Sequence, residues 1–267
     1  EAFKDVIGKY TRIPEVTFTT KITRKGYGTL KECRSAGLFD NLQNLAKPVT
    51  ELHPCSMEKL GQGYGYILYE SALKWEGDIE RIRLYGANDR ANIFMDEKPL
   101  VTLYDRELLS DHIFESPVKK GEKLSILVEN MGSTMEMQRK GIDRCVQING
   151  HQHYYWNMYC LPMEDLSGLS FDMPAKEEQP GFYEFTFTAD ELGDTFLDLT
   201  GWGKGCVLVN GINIGRFWEI GPQKRLYIPA PFLKEGENTI LIFETEGKAA
   251  GEITLCEEPD LGSEAAK

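Results

Sequence analysis

Short apolar and aromatic runs recur along this chain, and Gly, Pro, Asp or Asn residues lie between them. In the run 182–188, the aromatic residues Tyr183, Phe185 and Phe187 alternate with positions that carry mainly Glu and Thr. This two-residue period predicts a half-buried β-strand. Further strands are predicted at 64–69, 79–85, 91–95, 124–128, 195–199, 206–209 and 239–243. Many short strands separated by turn signals predict an all-β sandwich architecture.

A repeat with an offset of 115 residues relates the two halves of the chain. Segment 118–132 aligns with segment 233–247. The residues shared by the two copies are Lys119, Gly121, Glu122, Glu129 and Gly132, which reappear as Lys234, Gly236, Glu237, Glu244 and Gly247. A period of this length is the size of a whole domain, whereas solenoid units repeat every 20–50 residues or so.

The repeat predicts two tandem antiparallel β-sandwiches of jelly-roll type, the first over 61–149 and the second over 150–258. Residues 1–60 belong to neither copy, and we expect them to be a connector that lends an edge strand to one sandwich. Within the connector, 16–22 reads as a strand, and 29–37 as a short helix that ends at its terminal Gly. Residues 162–180 are predicted to form a long loop, and 259–267 a frayed tail.

One turn gives a strong local signal. Residues 206–209 lead into Asn210–Gly211, and the run 212–218 follows. Asn and Gly tolerate the positive φ that both central positions of a type I′ turn require, so a β-hairpin is predicted. The first copy carries Asp96–Glu97 at the corresponding place, a poorer pair for the same turn.

Charge excludes some classes of partner. The formal net charge is −12 and the pI is near 4.9, which argues against nucleic acid and against an anionic membrane surface. No apolar run approaches the roughly 18 residues of a membrane span. No phosphate-binding, dinucleotide-binding or Gly-x-Ser-x-Gly motif is present, so we expect no cofactor.

Cysteine usage bears on location and on metal binding. None of the six cysteines forms a Cys-x-x-Cys pair, so we read them as free thiols, which favours a reducing, cytoplasmic compartment. Because the chain begins at Glu1, we expect any leader sequence to lie outside it. The cellular compartment is therefore left undecided by the sequence. His151 and His153, with Cys145 and Cys160 nearby, match no established zinc spacing, so no metal site is predicted.

A long motif near the end of the chain resembles a known family. The string 199–218 contains Trp202-Gly-Lys204-Gly and Asn210-Gly-Ile-Asn-Ile-Gly-Arg216-Phe-Trp218, and Gly-Pro-Gln and Leu-Tyr-Ile-Pro follow it. This string resembles the last β-domain of the family 35 glycoside hydrolases, the β-galactosidases. Weaker matches at 64–69, 89–91 and 127–132 extend the resemblance over about 60–260. The resemblance implies that both sandwiches are galactose-binding-like domains.

The resemblance also implies what the chain lacks. In this family a (β/α)₈ barrel with two catalytic glutamates precedes the β-domains, and it hydrolyses β-galactosides with retention. No strand–helix alternation of that kind occurs here, so we expect no catalytic residue in this chain. The function expected is to brace the missing N-terminal barrel, and to contact a β-galactoside or assist a homo-oligomer. The alternatives are a stand-alone galactoside-binding module pair and a protein-interaction module. We also expect a bacterial source.

The sequence departs from the family pattern at 133–138, where an Arg-x-Asn-Tyr-Gly sequence is usual, so no role is carried onto those residues. Glu129 and Glu244 occupy equivalent repeat positions, which predicts structural roles with one glutamate in each domain.

Four residues are the candidates for carbohydrate or interdomain contact. Arg216 and Trp218 share one face of a predicted strand. An arginine stem over the tryptophan face can seal a domain interface or hold a carboxylate, and a structural role is favoured. Trp202 lies in a turn before a strand, so an exposed or docked position is as well supported as a core position. For Lys204 a role in turn geometry is favoured over ligand recognition. Other aromatic residues that could form sugar platforms, with a core role favoured, are Trp75, Trp156, Tyr154, Tyr155 and Tyr159.

Overall fold

The protein is described here from a computed structural model, which covers residues 2–13, 23–74, 77–132 and 139–262. The strand predicted at 16–22, the aromatic candidate Trp75, the segment 133–138 and the last five residues of the predicted tail lie outside the described residues.

The first sandwich consists of a six-stranded and a four-stranded antiparallel sheet. The six-stranded sheet has the order β3 (Val49–Glu51), β12 (Trp156–Leu161), β4 (Tyr66–Ala72), β9 (Lys123–Glu129), β6 (Arg90–Met95) and β7 (Lys98–Tyr104). The four-stranded sheet has the order β11 (His151–His153), β10 (Gly141–Ile148), β5 (Ile79–Asn88) and β8 (His112–Val118). Aliphatic side chains from both sheets and Trp156 form the core between them.

The second sandwich repeats this arrangement with a five-stranded and a four-stranded sheet. The five-stranded sheet has the order β16 (Ile212–Trp218), β15 (Lys204–Val209), β18 (Gly236–Glu244), β13 (Gly181–Ala189) and β2 (Arg34–Gly37). The four-stranded sheet has the order β1 (Gly28–Lys31), β19 (Glu252–Cys256), β14 (Thr195–Asp198) and β17 (Arg225–Ile228). Its core includes Trp202 and Phe185.

Helices are short in the described residues. The α-helices are α1 (Ala2–Ile7) and α2 (Leu38–Leu45), and 3₁₀ turns occur at Glu58–Leu60, Asp105–Leu109 and Ala230–Phe232. None of the helices in the described ranges is long and apolar enough to cross a membrane. Helix α2 contributes Leu38, Phe39 and Leu42 to a buried layer between the sandwiches.

The 115-residue repeat reappears as a repeat of topology. The order β4–β9–β6–β7 in the first sandwich matches β13–β18–β15–β16 in the second. The pairing register agrees as well, because Tyr66 pairs with Glu129 where Gly181 pairs with Glu244. The prediction of two antiparallel all-β sandwiches is confirmed.

The predicted hairpin at Asn210–Gly211 is also confirmed. Asn210 and Gly211 join β15 to β16 with φ angles of 49° and 83°. The equivalent turn in the first sandwich has φ angles of 47° at Asp96 and 66° at Glu97. The Asp96 carboxylate accepts the backbone N–H groups of Glu122 and Lys123 at 2.9 and 2.8 Å, which stabilises a turn that has no glycine.

The segment 28–37 does not form the predicted helix. It forms β1 and β2, and the helix α2 begins only after Gly37. Strand β1 pairs with β19, and β2 pairs with β13, at the open edges of the two sheets of the second sandwich. Edge pairing satisfies the backbone N–H and C=O groups of this segment, and this tertiary interaction overrides its local propensity for helix.

The boundary between the two sandwiches does not lie between residues 149 and 150, where the sequence predicted it. Strands β11 and β12 occupy residues 151–161 and pair with β10 and β4, so they belong to the first sandwich. In the second sandwich the same two positions are taken by β1 and β2, from the segment expected to be a connector. The first sandwich is therefore inserted between two parts of the second.

The two sandwiches share a buried layer where the six-stranded sheet faces the five-stranded sheet. Strand β4 shows the consequence, because Ile67 and Tyr69 face the core of the first sandwich while Tyr66 and Leu68 face the second sandwich. Across the layer, the ring centroids of Tyr66 and Phe243 are 5.0 Å apart. Burial on both faces explains why β4, β6 and β15 are apolar at most positions and have almost no exposed position.

We expect Phe243→Ala to destabilise both sandwiches together. Phe243 is fully buried in the shared layer and stacks on Phe182 at 4.7 Å, so truncation should cost about 3–5 kcal/mol. Ile113→Ala on the exposed face of β8 is the matched control and should cost under about 0.5 kcal/mol. Urea unfolding followed by tryptophan fluorescence and circular dichroism should show one transition. Two separate transitions, with only one shifted by Phe243→Ala, would contradict the shared layer.

Candidate functional site

One end of the shared layer is ionic, and Lys204 lies at its centre. Lys204 Nζ donates to Glu129 Oε1 at 2.7 Å, and the two side chains are only 2% and 3% exposed. The ammonium group also lies 4.7 Å from the ring centroid of Trp218. Burial lowers the pKa of Lys204, and the adjacent carboxylate of Glu129 opposes that shift. Because β15 and β9 belong to different sandwiches, this ion pair joins the two domains.

A second polar group of residues crosses the same interface beside Lys204. Arg90 of the first sandwich pairs with Glu246 of the second, and it also donates to Asn92 Oδ1 at 2.9 Å. The Asn92 amide in turn donates to the backbone oxygen of Thr245 at 3.4 Å. The guanidinium of Arg90 is nine-tenths or more buried, so the pair with Glu246 compensates a charge that would be costly alone.

Arg216 and Trp218 of β16 also contact the first sandwich. The Arg216 guanidinium donates to the backbone oxygens of Asn130 and Met131 at 3.0 and 3.1 Å, and lies 3.9 Å from Glu129 Oε1. Trp218 meets Tyr104 edge to face, with ring centroids 5.3 Å apart. In this structure Lys204, Arg216 and Trp218 therefore make contacts between the two sandwiches.

Trp202 is placed apart from these three residues. It is 1% exposed in the core of the second sandwich, where its Nε1 donates to the Glu252 oxygen at 2.9 Å. Tyr183 and Phe185 contact its ring edge to face. The flanking glycines suggested a turn, but they did not reveal that the turn folds the indole inward.

The repeat-related glutamates both contact Lys204, although each lies on a strand of its own sandwich as predicted. Glu129 binds the ammonium group, whereas Glu244 Oε1 accepts the backbone N–H of Lys204 at 3.2 Å. Glu244 also accepts the backbone N–H groups of Glu246 and Lys248 at 3.0 Å each. Burial raises the pKa of Glu244, and the backbone hydrogen bonds oppose the shift. These contacts are structural.

A cleft opens beside the ionic end, between the two sandwiches. Its volume is about 670 Å³. Residues of both domains line it, among them Tyr64, Tyr66, Glu129, Cys206 and Arg216. Burial raises the pKa of the Tyr66 hydroxyl well above its usual range, and that of the Cys206 thiol to about 12. Glu129 Oε2 is one of the buried polar atoms in the described residues that have no hydrogen-bond partner, and the Tyr66 hydroxyl lies beside the Cys206 thiol.

Sequence reasoning missed this cleft. Tyr66 and Glu129 both lay in segments that matched the family pattern, but nothing in their spacing brought them together with Cys206. Pairing of β4 with β9 places Tyr66 opposite Glu129, and stacking of the two sheets then adds Cys206.

The other residues considered from the sequence are scattered. Within the ranges that the structure describes, no group of three or more His, Cys, Asp or Glu residues is placed to hold a metal ion. All six cysteines are described, and none forms a disulfide. The ring of His153 interacts with Ser71 Oγ at 2.8 Å. Trp156 and Tyr159 are buried, whereas Tyr154 and Tyr155 are exposed.

The fold and the interdomain cluster define a pair of fused, galactose-binding-like β-sandwiches, a type of module that accompanies catalytic domains. Two family models match the chain: "Beta-galactosidase, first all-beta domain" over residues 54–162, and "Beta-galactosidase, galactose-binding domain" over residues 180–238. The chain belongs to the β-galactosidase family, of which it contains non-catalytic all-β domains. The resemblance inferred from the motif at 199–218 is confirmed.

Relatives align along nearly the whole chain. Beta-galactosidase 17 of Arabidopsis thaliana is 32% identical over 92% of this chain, and Beta-galactosidase 8 of Oryza sativa subsp. japonica is 32% identical over 98%. Human Beta-galactosidase-1-like protein 2 is 30% identical over 97%. The chain spans 41%, 46% and 42% of the lengths of these three proteins, respectively. Because such relatives come from plants and mammals, the expectation of a bacterial source is not supported.

Among solved structures, the comparison finds the GH2 β-galacturonidase of Eisenbergiella tayi bound to galacturonate. It is 13% identical, covers 86% of this chain and 38% of its own, and has a TM-score of 0.29. At that score the likeness supports no argument about this chain.

We expect Lys204→Met to destabilise the protein by about 3–5 kcal/mol, because it leaves the buried Glu129 carboxylate without its ammonium partner. Adding Glu129→Gln should recover part of the loss, since the double variant buries no uncompensated charge. Lys248→Met removes a half-exposed lysine from a surface pair and should cost at most about 1 kcal/mol. Urea unfolding at pH 7 measures all three. Equal costs for Lys204→Met and Lys248→Met would contradict the assigned role.

Proposed function

We propose that this chain is the accessory β-domain part of a retaining β-galactosidase and that it braces a catalytic (β/α)₈ barrel on the same polypeptide. The observation that carries the proposal is the shared layer with its ion pairs. A layer buried on both faces, closed by Lys204–Glu129 and Arg90–Glu246, makes one stiff body from two domains. The family membership and the partial coverage of its relatives support the same reading.

The two buried glutamates argue against chemistry in this chain. A retaining glycosidase needs two carboxyl groups about 5–5.5 Å apart that both reach the sugar. Glu129 is paired with Lys204, and Glu244 is occupied by backbone N–H groups. Both side chains therefore have structural partners, and we place the nucleophile and the acid/base in the barrel.

An apolar patch at the β3 edge is our candidate for the barrel contact. Val49, Leu52, Tyr154 and Tyr155 are all exposed there, and Tyr155 is 65% exposed. Strand β3 is the outermost strand of the six-stranded sheet, and the Tyr155 N–H donates to the Leu52 oxygen, which brings these two residues together beside the edge. Exposed apolar patches of this kind mark interaction surfaces.

The test uses this chain alone and the full-length protein that contains it. The isolated chain should give no turnover of a chromogenic β-galactoside, whereas the full-length protein should cleave it. In the full-length protein, Tyr155→Asp should lower the melting temperature of the barrel and reduce activity several-fold, because a charge at the contact must be desolvated. Ile113→Asp, on the exposed β8 at the far edge of the other sheet, is the matched control and should change neither.

Turnover by the isolated chain that is lost on Glu129→Gln would overturn the proposal. Unchanged barrel stability in Tyr155→Asp would refute the assigned contact surface alone. Homo-oligomer formation stays a prediction, which light scattering of the full-length protein can measure. The cytoplasmic location likewise stays a prediction.

A second function, recognition of a galactoside without chemistry, is favoured by one observation, the cleft between the sandwiches. Residues of both sandwiches line this cleft.

A further inference from the structure

Helix α1 carries an apolar face that neither sandwich covers. Four large apolar side chains lie at positions i, i+3, i+4 and i+7 of its helical turns, which places them on one face: Phe3, Val6, Ile7 and Tyr10. We call this set the α1 stripe. Its side chains are 85%, 55%, 48% and 86% exposed, in that order. Every residue from 3 to 12 is exposed, so neither sandwich buries the stripe.

Backbone hydrogen bonds extend the helical spacing beyond the end of α1. The Gly8 N–H donates to the Lys4 oxygen at 2.8 Å, and the Thr11 N–H donates to the Ile7 oxygen at 3.1 Å. Both bonds join residues four apart, which is the spacing of an α-helix. Tyr10 therefore continues the apolar face that begins within α1.

An apolar face of this kind needs a partner. Helix α1 has only six residues, and isolated helices shorter than about 12–15 residues are marginal in water. In proteins, most of the stability of a helix comes from packing its apolar face. Lys4, Asp5 and Lys9 lie outside the stripe, so the rest of the helix surface is polar and the stripe is the face that packing can bury.

We infer that the α1 stripe docks on an apolar surface of the catalytic barrel of the same polypeptide. The inference rests on the proposed function, because it adds a second contact with the barrel to the one proposed at the β3 edge. The plant relatives contain further polypeptide, since the chain spans only 41% and 46% of their lengths. Helices form the outer ring of such a barrel, and an apolar groove between helices accepts residues at i, i+3, i+4 and i+7 of an amphipathic helix.

The size of the stripe favours a partner on the same polypeptide over a second copy of this chain. Stable complexes between separate proteins bury about 800 Å² on each partner, from about 20–30 residues a side. The stripe offers far fewer side chains than that. A tethered domain does not need the full area, because a tether holds two surfaces at an effective concentration of about a millimolar.

Hydrogen exchange of the backbone amides of residues 3–11 tests the inference without any substitution. In this chain alone, these amides should exchange rapidly, because nothing buries the stripe. In the full-length protein that contains this chain, the same amides should exchange at least about tenfold more slowly, because docking suppresses opening of the helix. Equal exchange in the two proteins would overturn the inference.

A substitution in the stripe should remove this protection. Phe3→Glu places a carboxylate at the contact, where docking must desolvate it, so the melting temperature of the full-length protein should also fall by several degrees. In the isolated chain the same change should leave the unfolding midpoint unchanged, since Phe3 is exposed there. Lys9→Glu is the matched control, because it introduces the same side chain outside the stripe and should change neither quantity.

Light scattering of the isolated chain examines the other occupant. A dimer that Phe3→Glu abolishes would show that a second copy covers the stripe, and it would overturn the inference. Failure here is distinguishable from failure of the proposed function. If Tyr155→Asp lowers the stability of the barrel while the amides of α1 stay unprotected, the bracing role stands and the α1 contact alone is refuted. Turnover by the isolated chain that is lost on Glu129→Gln overturns the proposed function, whatever the exchange of α1.

Discussion

The face-to-face burial of the six-stranded and five-stranded sheets is the constraint on which the rest of this structure depends. It removes the outward face of both inner sheets from water, so β4, β6 and β15 must be apolar or internally paired along their length. Charges that fall in the layer then need partners from the opposite sandwich. Lys204 with Glu129, and Arg90 with Glu246, meet that requirement at one end. Buried pairs of this kind contribute little net stability, but an unmatched charge would be strongly destabilising, and they therefore favour one relative arrangement of the two sandwiches.

The same constraint accounts for the course of the chain. Strands β1 and β2 precede the first sandwich in sequence but complete the second, at the positions that β11 and β12 occupy in the first. The second sandwich cannot be complete until residues separated by more than a hundred positions have paired. Contacts this distant in sequence carry a large loop-closure cost and slow folding. A change in the shared layer should therefore be felt by both sandwiches.

The interdomain cluster and the cleft are two outcomes of the same contact. In the interdomain cluster, the side chains of Lys204, Arg216 and Trp218 in the second sandwich contact residues of the first sandwich. Beside this cluster, Glu129 keeps one buried oxygen without a hydrogen-bond partner in the described residues, and residues of both sandwiches line the cleft. The proposed bracing role draws on the cluster, and the second proposed function draws on the cleft. Glu129 belongs to both, because one of its oxygens binds Lys204 and the residue also lines the cleft.

Local chemistry made much of this protein predictable from sequence. Alternating apolar positions in 182–188 gave β13, the Asn210–Gly211 pair gave a hairpin with two positive φ angles, and the 115-residue offset gave two sandwiches of matching topology. The helix predicted over 29–37 was wrong because sheet edges far away in sequence supplied its hydrogen bonds. Trp202 could not be assigned because a turn between glycines leaves open on which side an indole packs.

The amino-acid sequence by itself determined the strands, their turns, the duplication and the family, since each depends on residues close together in the chain or on a motif of fixed spacing. Only the tertiary structure decided which sandwich received β1 and β2, that Lys204 pairs with Glu129, and that Tyr66, Glu129 and Cys206 line one cleft. Those outcomes depend on how two sheets stack. Stacking is set by the summed burial of side chains from distant segments, and no local pattern encodes it.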